Sequence, residues 1–215
     1  MTTPPETEHP ADVLRRYRRP EPSFVRAVGK ALGDARTVRE LRSGPVSYVP
    51  ADRHIVAGGT ADATLVTFPT VAALEGSAPT DAGPVVVLAR DPVRVRAGWL
   101  AEYAPDVVAA EAEGLPDVEQ LAALVGTSVE IVRLPVPFTC LDGFGEGYYA
   151  RPERLLDAGV RAADPAWSSV DDLTARRSIA ALRDAIASGE WDARHGALRR
   201  QPMLDGSIVL LRAVP

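Results

Sequence analysis

The chain contains 215 residues, of which 46% are hydrophobic and 25% are charged. That balance is typical of one folded domain and excludes an intrinsically disordered chain. A formal net charge of −5, from 24 basic and 29 acidic residues, argues against a broad nucleic-acid-binding surface. No apolar run approaches the roughly 20 residues that a membrane-spanning helix requires. We therefore expect a single domain over residues 1–215, with neither nucleic acid nor a membrane as its partner.

The N-terminal segment and the rare residue types narrow the classes further. Residues 1–10 are polar and proline-rich, which predicts a disordered tail, and they lack the pattern of a secretory signal, which predicts a cytoplasmic protein. The single cysteine, Cys140, excludes an internal disulfide. The three histidines show no HxH or HxxxH spacing (His9, His54 and His195). The sequence therefore predicts no metal site.

The first half of the chain alternates short strands with short helices. Residues 24–32 predict a helix, with Ser23 as its N-cap and Gly33 as its C-terminal stop. The segment PTVAALEG predicts a short crossover helix later in this half. Apolar runs such as VVVLA indicate strands that are covered on both faces, as in a parallel sheet between helices. The predicted strands occupy residues 37–41, 53–57, 62–68 and 84–90.

The second half is predicted to contain more helix and to end in a strand. A long helix runs to residue 188, with Ser168 or Ser169 as its N-cap. After an Asp-Gly turn, residues 207–213 predict a final strand, which pairs antiparallel with the parallel sheet. The fold class is therefore α/β, with a mostly parallel sheet, an antiparallel C-terminal strand and helices on both faces. The other elements are predicted helices at 93–103 (extending to 112) and 117–125, and a strand at 128–134.

Eight stretches of the chain carry a family resemblance. They are YRRPEP (17–22), ALGDARTV (31–38), SYVPADR (47–53), GPVVVLARDP (83–92), GWLAEYAPD (98–106), DGFGEGYYARPE (142–153), SGEWDARHGALR (188–199) and LDGSIVLLRA (204–213). In these stretches, and in the order of its elements, the chain resembles class I S-adenosylmethionine-dependent methyltransferases, in particular small bacterial members. The likeness covers nearly the whole chain and is densest after residue 84. It implies a truncated, Rossmann-like methyltransferase fold.

The cofactor loop of that family is degenerate in this chain. In the family, the first strand runs into a GxGxG loop whose bare backbone lets the cofactor approach closely. Aligned on SYVPADR, the three glycines fall on Arg42, Gly44 and Val46, so the middle one alone is kept. Arg42 and Val46 are expected to put side chains where the cofactor would meet backbone, and Pro45 removes an N–H donor. The resemblance therefore implies that S-adenosylmethionine binding has been lost and that the protein uses no cofactor.

Two further parts of the family's cofactor site are also missing. The carboxylate that usually ends the second strand and holds the ribose hydroxyls falls near Gly58 and Gly59. The strand at 62–68 then resembles the family's fourth strand, so a helix and the third strand, about 30 residues with their connections, are absent. The strand at 53–57 becomes a sheet edge, and unpaired edges invite partners. We therefore expect a homo- or hetero-oligomer that covers this edge.

The candidate substrate site lies in the better-kept second half. The stretch DGFGEGYYARPE matches the family's substrate-side region, where its glycines permit close approach and its aromatic side chains could wall a pocket. Arg151 could hold an anionic group. Tyr17 belongs to the opening helix, which lies over the cofactor pocket in the relatives. The candidate substrate-binding residues are Tyr17, Asp142, Phe144, Tyr148, Tyr149 and Arg151; the catalytic residues stay unassigned.

A purely structural interpretation of these residues stays open. Phe144 with Tyr148 or Tyr149 would then pack in the core, and Arg151 would pair with a nearby carboxylate. His195 has no visible partner in the sequence, which favours a surface or a structurally satisfied histidine over a general base. The charge of Asp142 beside Cys140 would raise the thiol pKa, which favours a structural cysteine.

Three functional hypotheses follow. The first is a methyltransferase-fold protein of small-molecule (secondary-metabolite) biosynthesis that no longer transfers methyl groups and serves another step, such as cyclisation or elimination, on a small-molecule substrate. The second is a non-catalytic interaction subunit. The third is an active methyltransferase with an atypical cofactor pose, which a solvent-facing Arg42 and a cavity beside Gly44 would favour.

Overall fold

The computed structural model of the protein describes residues 14, 16–74, 83–126 and 128–213. The predicted tail at residues 1–10 lies outside them. Within the described part of the chain, no helix has both the length and the apolar composition needed to span a membrane. No group of three or more His, Cys, Asp or Glu side chains there could hold a metal ion.

A six-stranded sheet forms the centre of the molecule. Its strands are β1 (Thr37–Arg42), β2 (His54–Ile55), β3 (Ala63–Thr67), β4 (Val85–Arg90), β5 (Val129–Arg133) and β8 (Ile208–Ala213). The order across the sheet is β2-β1-β3-β4-β8-β5. β2, β1, β3 and β4 run parallel, and β8 pairs antiparallel with both β4 and β5. The predicted fold class, a mostly parallel sheet with an antiparallel C-terminal strand, is confirmed.

Both faces of the sheet are covered at its central strands, as the continuous apolar runs predict. β3 and β4 are buried at every position. Alternate side chains of a strand point to opposite faces of the sheet. Leu65 and Val86 therefore join the large core that also contains side chains of the helix at Pro22–Leu32, whereas Val66 and Val87 join a second core on the other face. Leu121 of a later helix completes that second core. Helices therefore lie on both faces, as predicted.

The helices in the described part of the chain keep the predicted order, and their boundaries differ from the prediction at three places. They are α1 (Pro22–Leu32), α2 (Val71–Leu74), α3 (Pro92–Arg96), α4 (Pro105–Glu113), α5 (Val118–Val125), α6 (Ala158–Ala162), α7 (Asp172–Ser188) and α8 (Glu190–His195). Single turns of 3-10 helix lie at Trp99–Glu102, Gly145–Tyr148, Pro152–Leu156, Pro165–Ser169 and Gly196–Arg200. A separate two-stranded sheet pairs β6 (Val136–Pro137) with β7 (Met203–Leu204).

The predictions of two N-caps were wrong. Glu21, not Ser23, caps α1, because Pro22 suits the first helical position and the Glu21 carboxylate accepts from the Ser23 N–H. Asp171 caps α7, where its side chain accepts from two backbone N–H groups; Ser168 and Ser169 belong to the preceding 3-10 turn. A carboxylate at the N-cap also meets the positive end of the helix dipole, which explains the preference.

The helix predicted at 93–103 and extended to 112 is in fact three pieces. α3 ends at Arg96, a 3-10 turn follows at Trp99–Glu102, and α4 starts at Pro105. Proline lacks the N–H that a continuing helix would need, so a new helix begins there. The change of direction places α4 where it packs against α3 and the 3-10 turn at Pro165–Ser169.

Candidate functional site

The carboxyl ends of the parallel strands define the site. β1 lies between β2 and β3, so the connections from β1 and β3 leave the sheet on either side of a reversal in strand order. Ligands of open α/β sheets bind outside the carboxyl ends of strands at such a reversal. Two cavities lie along this edge of the molecule.

The first cavity, which we call the β1 cavity, has a volume of about 280 Å³. It lies beside the turn after β1 and the turn after β3, and side chains from α4 and from the segment before α7 close it. Its lining includes Arg18, Ser43, Gly44, Pro45, Phe68, Thr70, Arg90, Glu111, Phe144, Asp164 and Ser169. The volume is just below the range of roughly 300–1,000 Å³ for small-molecule sites.

Phe68 lines the β1 cavity with a strained backbone. Its φ of +46° is the one positive φ of a non-glycine residue in the described part of the chain. A bulky residue in this region is an outlier that the surrounding structure must enforce. The Phe68 N–H donates to the Leu88 carbonyl at 2.7 Å, and its ring meets the Tyr48 ring edge-on at 5.6 Å. The fold therefore holds this aromatic side chain in place at the end of β3.

The second cavity, which we call the β8 cavity, has a volume of about 810 Å³. It lies beside the ends of β4 and β8, and most of its wall comes from the α3 region, α8 and the turn before β8. Its lining includes Arg90, Arg94, Trp99, Glu102, Glu111, Glu146, Arg194, His195, Leu204, Asp205 and Gly206. Arg94 donates to the Asp205 and Gly206 carbonyls at 2.8 and 2.7 Å and so ties α3 to that turn.

One buried ion pair lines both cavities. Arg90, the last residue of β4, donates through its guanidinium to the Glu111 carboxylate of α4. The side chains are 9% and 15% exposed. Arg90 Nε also donates to Ser207 Oγ at 3.1 Å, and its guanidinium lies 5.1 Å from the centre of the Phe144 ring. The Arg90–Glu111 pair is therefore the common wall of the two cavities.

Asp164 supplies a buried carboxylate to the β1 cavity. Its Oδ2 accepts from the Gly145 N–H at 2.8 Å and its Oδ1 from the Ala166 N–H at 3.2 Å, because it caps the 3-10 turn at Pro165–Ser169. Burial and the nearby Glu111 carboxylate raise the pKa of Asp164 to about 6, against the opposing effect of Arg18 and Arg90. A carboxyl group with such a pKa can exchange a proton near neutral pH.

Glu146 is a second buried carboxyl group, on the side of the β8 cavity. It accepts from the Ser207 N–H at 2.9 Å and from the Ser207 hydroxyl at 2.6 Å. Burial raises its pKa, although Arg90 and the Ser207 donors act in the opposite direction. Gly206 packs so closely against this carboxylate that an added Cβ would overlap it.

Asp142 anchors the segment that precedes α1. It is fully buried, pairs with the Arg18 guanidinium and accepts from the Tyr48 hydroxyl at 2.6 Å. Burial and the charge of Asp142 raise the pKa of Tyr48, which therefore stays protonated and donates. Arg18 also donates to the Ala163 carbonyl at 3.2 Å. The group joins the segment before α1 to the turn that carries Asp164.

Of the six predicted substrate-binding residues, Phe144 lines the β1 cavity and none of the others lines either cavity. Asp142 holds Arg18 and Tyr48, and the Tyr17 hydroxyl lies 3.3 Å from Asp157 Oδ2. The other three, Tyr148, Tyr149 and Arg151, lie in or beside the main core. The Tyr149 hydroxyl donates to the Gln201 carbonyl at 2.7 Å, and the Arg151 guanidinium lies over the Phe138 and Tyr148 rings. Their substrate-binding role stays a prediction.

The three residues that align with the glycines of the family's cofactor loop differ in their surroundings. The Arg42 side chain is 44% exposed and donates to the Pro45 carbonyl at 3.3 Å. Val46 is buried in the main core. Gly44 lines the β1 cavity, and a Cβ built on it would meet no atom within 4 Å. The two side chains expected to fill the cofactor position are therefore not part of the cavity wall.

The sequence reasoning missed Arg90, Glu111 and Asp164. Arg90 had one usable signal, since a charged residue ending an apolar parallel strand lies at the ligand-binding edge of the sheet. Glu111 and Asp164 had none, because the segments that carry them are remote in sequence.

Cys140 and His195 agree with their structural interpretation. Cys140 is buried, and burial raises the pKa of its thiol to about 12. His195 packs among the Trp99, Tyr103 and Trp191 rings, and its Nε2 lies 3.2 Å from Glu102 Oε2. That carboxylate is the partner that the sequence could not reveal.

The chain has a Rossmann-like fold of the methyltransferase type. No protein-family model and no curated protein matches it. Among solved structures, it is similar to a candidate methyltransferase from an antibiotic biosynthesis pathway of Anabaena variabilis. The TM-score is 0.75 at 15% sequence identity, over 93% of this chain and 100% of the other. At that identity the likeness establishes the fold, and the predicted methyltransferase-like fold is confirmed.

Proposed function

We propose that this protein acts in small-molecule (secondary-metabolite) biosynthesis, on a substrate bound at the two cavities, without using S-adenosylmethionine. The observation that carries the proposal is the Arg90–Glu111 pair with Asp164 beside it, a buried group of ionisable side chains at the ligand-binding edge. Burying such groups costs free energy, so their presence at this edge favours a role in binding or chemistry over packing. The Anabaena protein, described as part of an antibiotic biosynthesis pathway, supports the choice of process.

The chemistry that suits these groups is proton transfer, as in a cyclisation or an elimination. In an elimination, the Asp164 carboxylate would take a proton from substrate carbon, the freed electron pair would form the new double bond, and the leaving group would depart with its own bonding pair. A carboxyl group whose pKa is raised towards neutrality suits the role of base and then acid. Holding the substrate in the reactive geometry within the cavity would supply a further part of the rate enhancement.

Three features support the loss of S-adenosylmethionine binding. Pro45 lines the β1 cavity and has no N–H to donate. The residues after β2, at 56–60, contain no carboxylate for the ribose hydroxyls. The cavity of about 280 Å³ is small for a nucleoside joined to an amino acid.

Isothermal titration calorimetry with S-adenosylmethionine tests this proposal, on the protein alone and with any co-purifying partner. We expect no heat of binding with ligand in the hundred-micromolar range. Micromolar binding in either state would contradict the loss of the cofactor and restore the methyltransferase interpretation.

A second candidate function is methyl transfer with an atypical cofactor pose. It is favoured by the β1 cavity beside Gly44, together with the positions of Arg42 and Val46 away from the cavity wall. If the calorimetry detects binding, Gly44→Leu should abolish it by filling the cavity, and Gly58→Leu, on the exposed turn after β2, should not. Binding that survives Gly44→Leu would place the cofactor elsewhere.

We also propose that a partner chain binds at the β2 edge. In that case the protein could serve as a non-catalytic subunit. β2 pairs with β1 on one side, and its Ile55 side chain is 55% exposed. An exposed strand edge with an apolar residue is a template for another chain. Light scattering well above micromolar concentration should detect an oligomer, and Ile55→Lys should weaken it. A strictly monomeric protein would rule out a homo-oligomer, and purification from the native host would test for a different partner.

A further inference from the structure

We propose that the β1 cavity binds a compact organic cation, such as a protonated amine, with its charge on Asp164 and its apolar part against Phe68 and Phe144. This inference rests on the proposed small-molecule site and names the class of ligand that one of its two cavities takes. It follows from the charges, the walls and the size of that cavity.

Asp164 is the carboxylate of this group that forms no salt bridge within 4 Å in the described part of the chain. Both cations near it are shared with another carboxylate, because Arg18 pairs with Asp142 and Arg90 pairs with Glu111. Asp164 accepts instead from two backbone N–H groups, one at each oxygen. Three carboxylates thus accompany two guanidinium groups, and a cation in the cavity would balance the excess negative charge.

The same charges disfavour an anionic ligand. Both guanidinium groups at the wall are already engaged by carboxylates, so an anion would compete with Asp142 or Glu111 for them. It would also meet the Asp164 carboxylate, which forms no salt bridge of its own, in a site of low dielectric constant, where repulsion between like charges is strong. The electrostatics therefore select for positive charge.

The aromatic walls suit the rest of such a ligand. Phe68 is held at the end of β3 by an enforced positive φ, and Phe144 lines the cavity with the Arg90 guanidinium over its ring. Aromatic faces attract organic cations as well as apolar groups. A positive φ at a bulky residue is a strained conformation. A role in ligand contact explains why this residue is retained there.

The size of the cavity limits the ligand to a small molecule. About 280 Å³ accommodates a single ring with a short amine side chain. Gly44 lines the cavity, and a Cβ added there would meet no protein atom within 4 Å, so we expect a larger side chain at this position to enter the cavity. That geometry provides the variant that tests the inference.

The experiment compares benzylamine with its uncharged analogue benzyl alcohol by NMR titration at about pH 8, where the Asp164 carboxylate is ionised. Benzylamine should bind about ten-fold more tightly than benzyl alcohol or better. Gly44→Leu should abolish benzylamine binding, and the matched Gly58→Leu should leave it unchanged, because Gly58 lines neither cavity. Asp164→Asn should remove the preference for the amine.

Three results would overturn the inference. They are equal binding of benzylamine and benzyl alcohol, no binding of benzylamine, and benzylamine binding that Gly44→Leu does not reduce. Equal binding that Gly44→Leu abolishes would refute the cationic class and still support a small-molecule site. The loss of S-adenosylmethionine, which belongs to the proposed function, is decided separately by calorimetry, so failure of one leaves the other testable.

Discussion

The two cavities share a wall but differ in how tightly their glycines are packed. At the β1 cavity, a Cβ added to Gly44 would enter open space, whereas at the β8 cavity a Cβ added to Gly206 would overlap the buried Glu146 carboxylate. A glycine is required where another atom approaches the backbone closely. Within the protein, Gly206 meets that condition and Gly44 does not. The difference indicates that the wall of the β8 cavity at Gly206 is tightly packed, whereas the wall of the β1 cavity at Gly44 has room for a side chain.

The largest expected effect comes from breaking the wall that both cavities share. Arg90→Met removes the guanidinium and leaves Glu111 and Glu146 buried without their cation. Breaking a buried pair in this way costs about 3–5 kcal/mol in the free energy of unfolding. Urea denaturation measures the loss. Arg94→Met is the control: Arg94 lines the β8 cavity alone, its partner Asp205 is 71% exposed, and about 1 kcal/mol is expected. Equal losses of unfolding free energy in the two variants would contradict the role of Arg90 as the buried cation shared by both cavities.

A smaller effect sharpens the comparison of the two glycines. Gly206→Ala should reduce the free energy of unfolding by about 1–3 kcal/mol, since the new methyl group pushes the Glu146 carboxylate away from its Ser207 donors. Gly44→Ala should change it by no more than about 0.5 kcal/mol. Both values come from urea denaturation at one pH. A loss at Gly44 as large as that at Gly206 would contradict the contrast drawn between the cavities.

A further expected effect, limited to one ionisable group of the β1 cavity, is on the pH dependence of stability. The pKa of Asp164 is raised from 3.8 to about 6 in the folded protein, so the unfolded chain releases this proton first as the pH rises. Stability from this group is therefore present below the unfolded value and lost as the pH rises through about 6. Asp164→Asn cannot titrate. Its stability relative to wild type should improve between about pH 4 and pH 7, measured by urea denaturation at both.

That comparison also separates Asp164 from the charged groups around it. Arg18, Arg90, Glu111 and Glu146 are the same in both proteins, so their titration cancels to first order when variant and wild type are compared at each pH. A difference between the two proteins that stays constant from pH 4 to pH 7, or moves towards wild type, would show that the Asp164 pKa is not raised.

The strands were predictable because their signal is local. Runs such as VVVLA and SIVLLRA carry their burial in their own composition, and β4 and β8 formed within one residue of the predicted boundaries. The boundaries of several helices were less predictable. Serines suggested the caps of α1 and α7, but neighbouring carboxylates took those places, and Pro105 divided a pattern that read as one helix.

The candidate site was far less predictable than the fold. Phe144 was named from its Gly-rich aromatic stretch and does line a cavity, but Tyr149 from the same stretch is buried and bonded to Gln201. Both residues have the same kind of local sequence. Which of them faces a cavity depends on the packing of distant segments, and no spacing rule encodes that packing.

The sequence by itself determined the fold class and the positions of most strands along the chain, since strand propensity and apolar runs are properties of short segments. The tertiary structure decided the site. The chain brings Arg90, Glu111 and Asp164 from the end of β4, from α4 and from the turn before α7 to one edge of the sheet. Their charges matter because burial removes water from around them, and burial is a property of the folded molecule rather than of any segment.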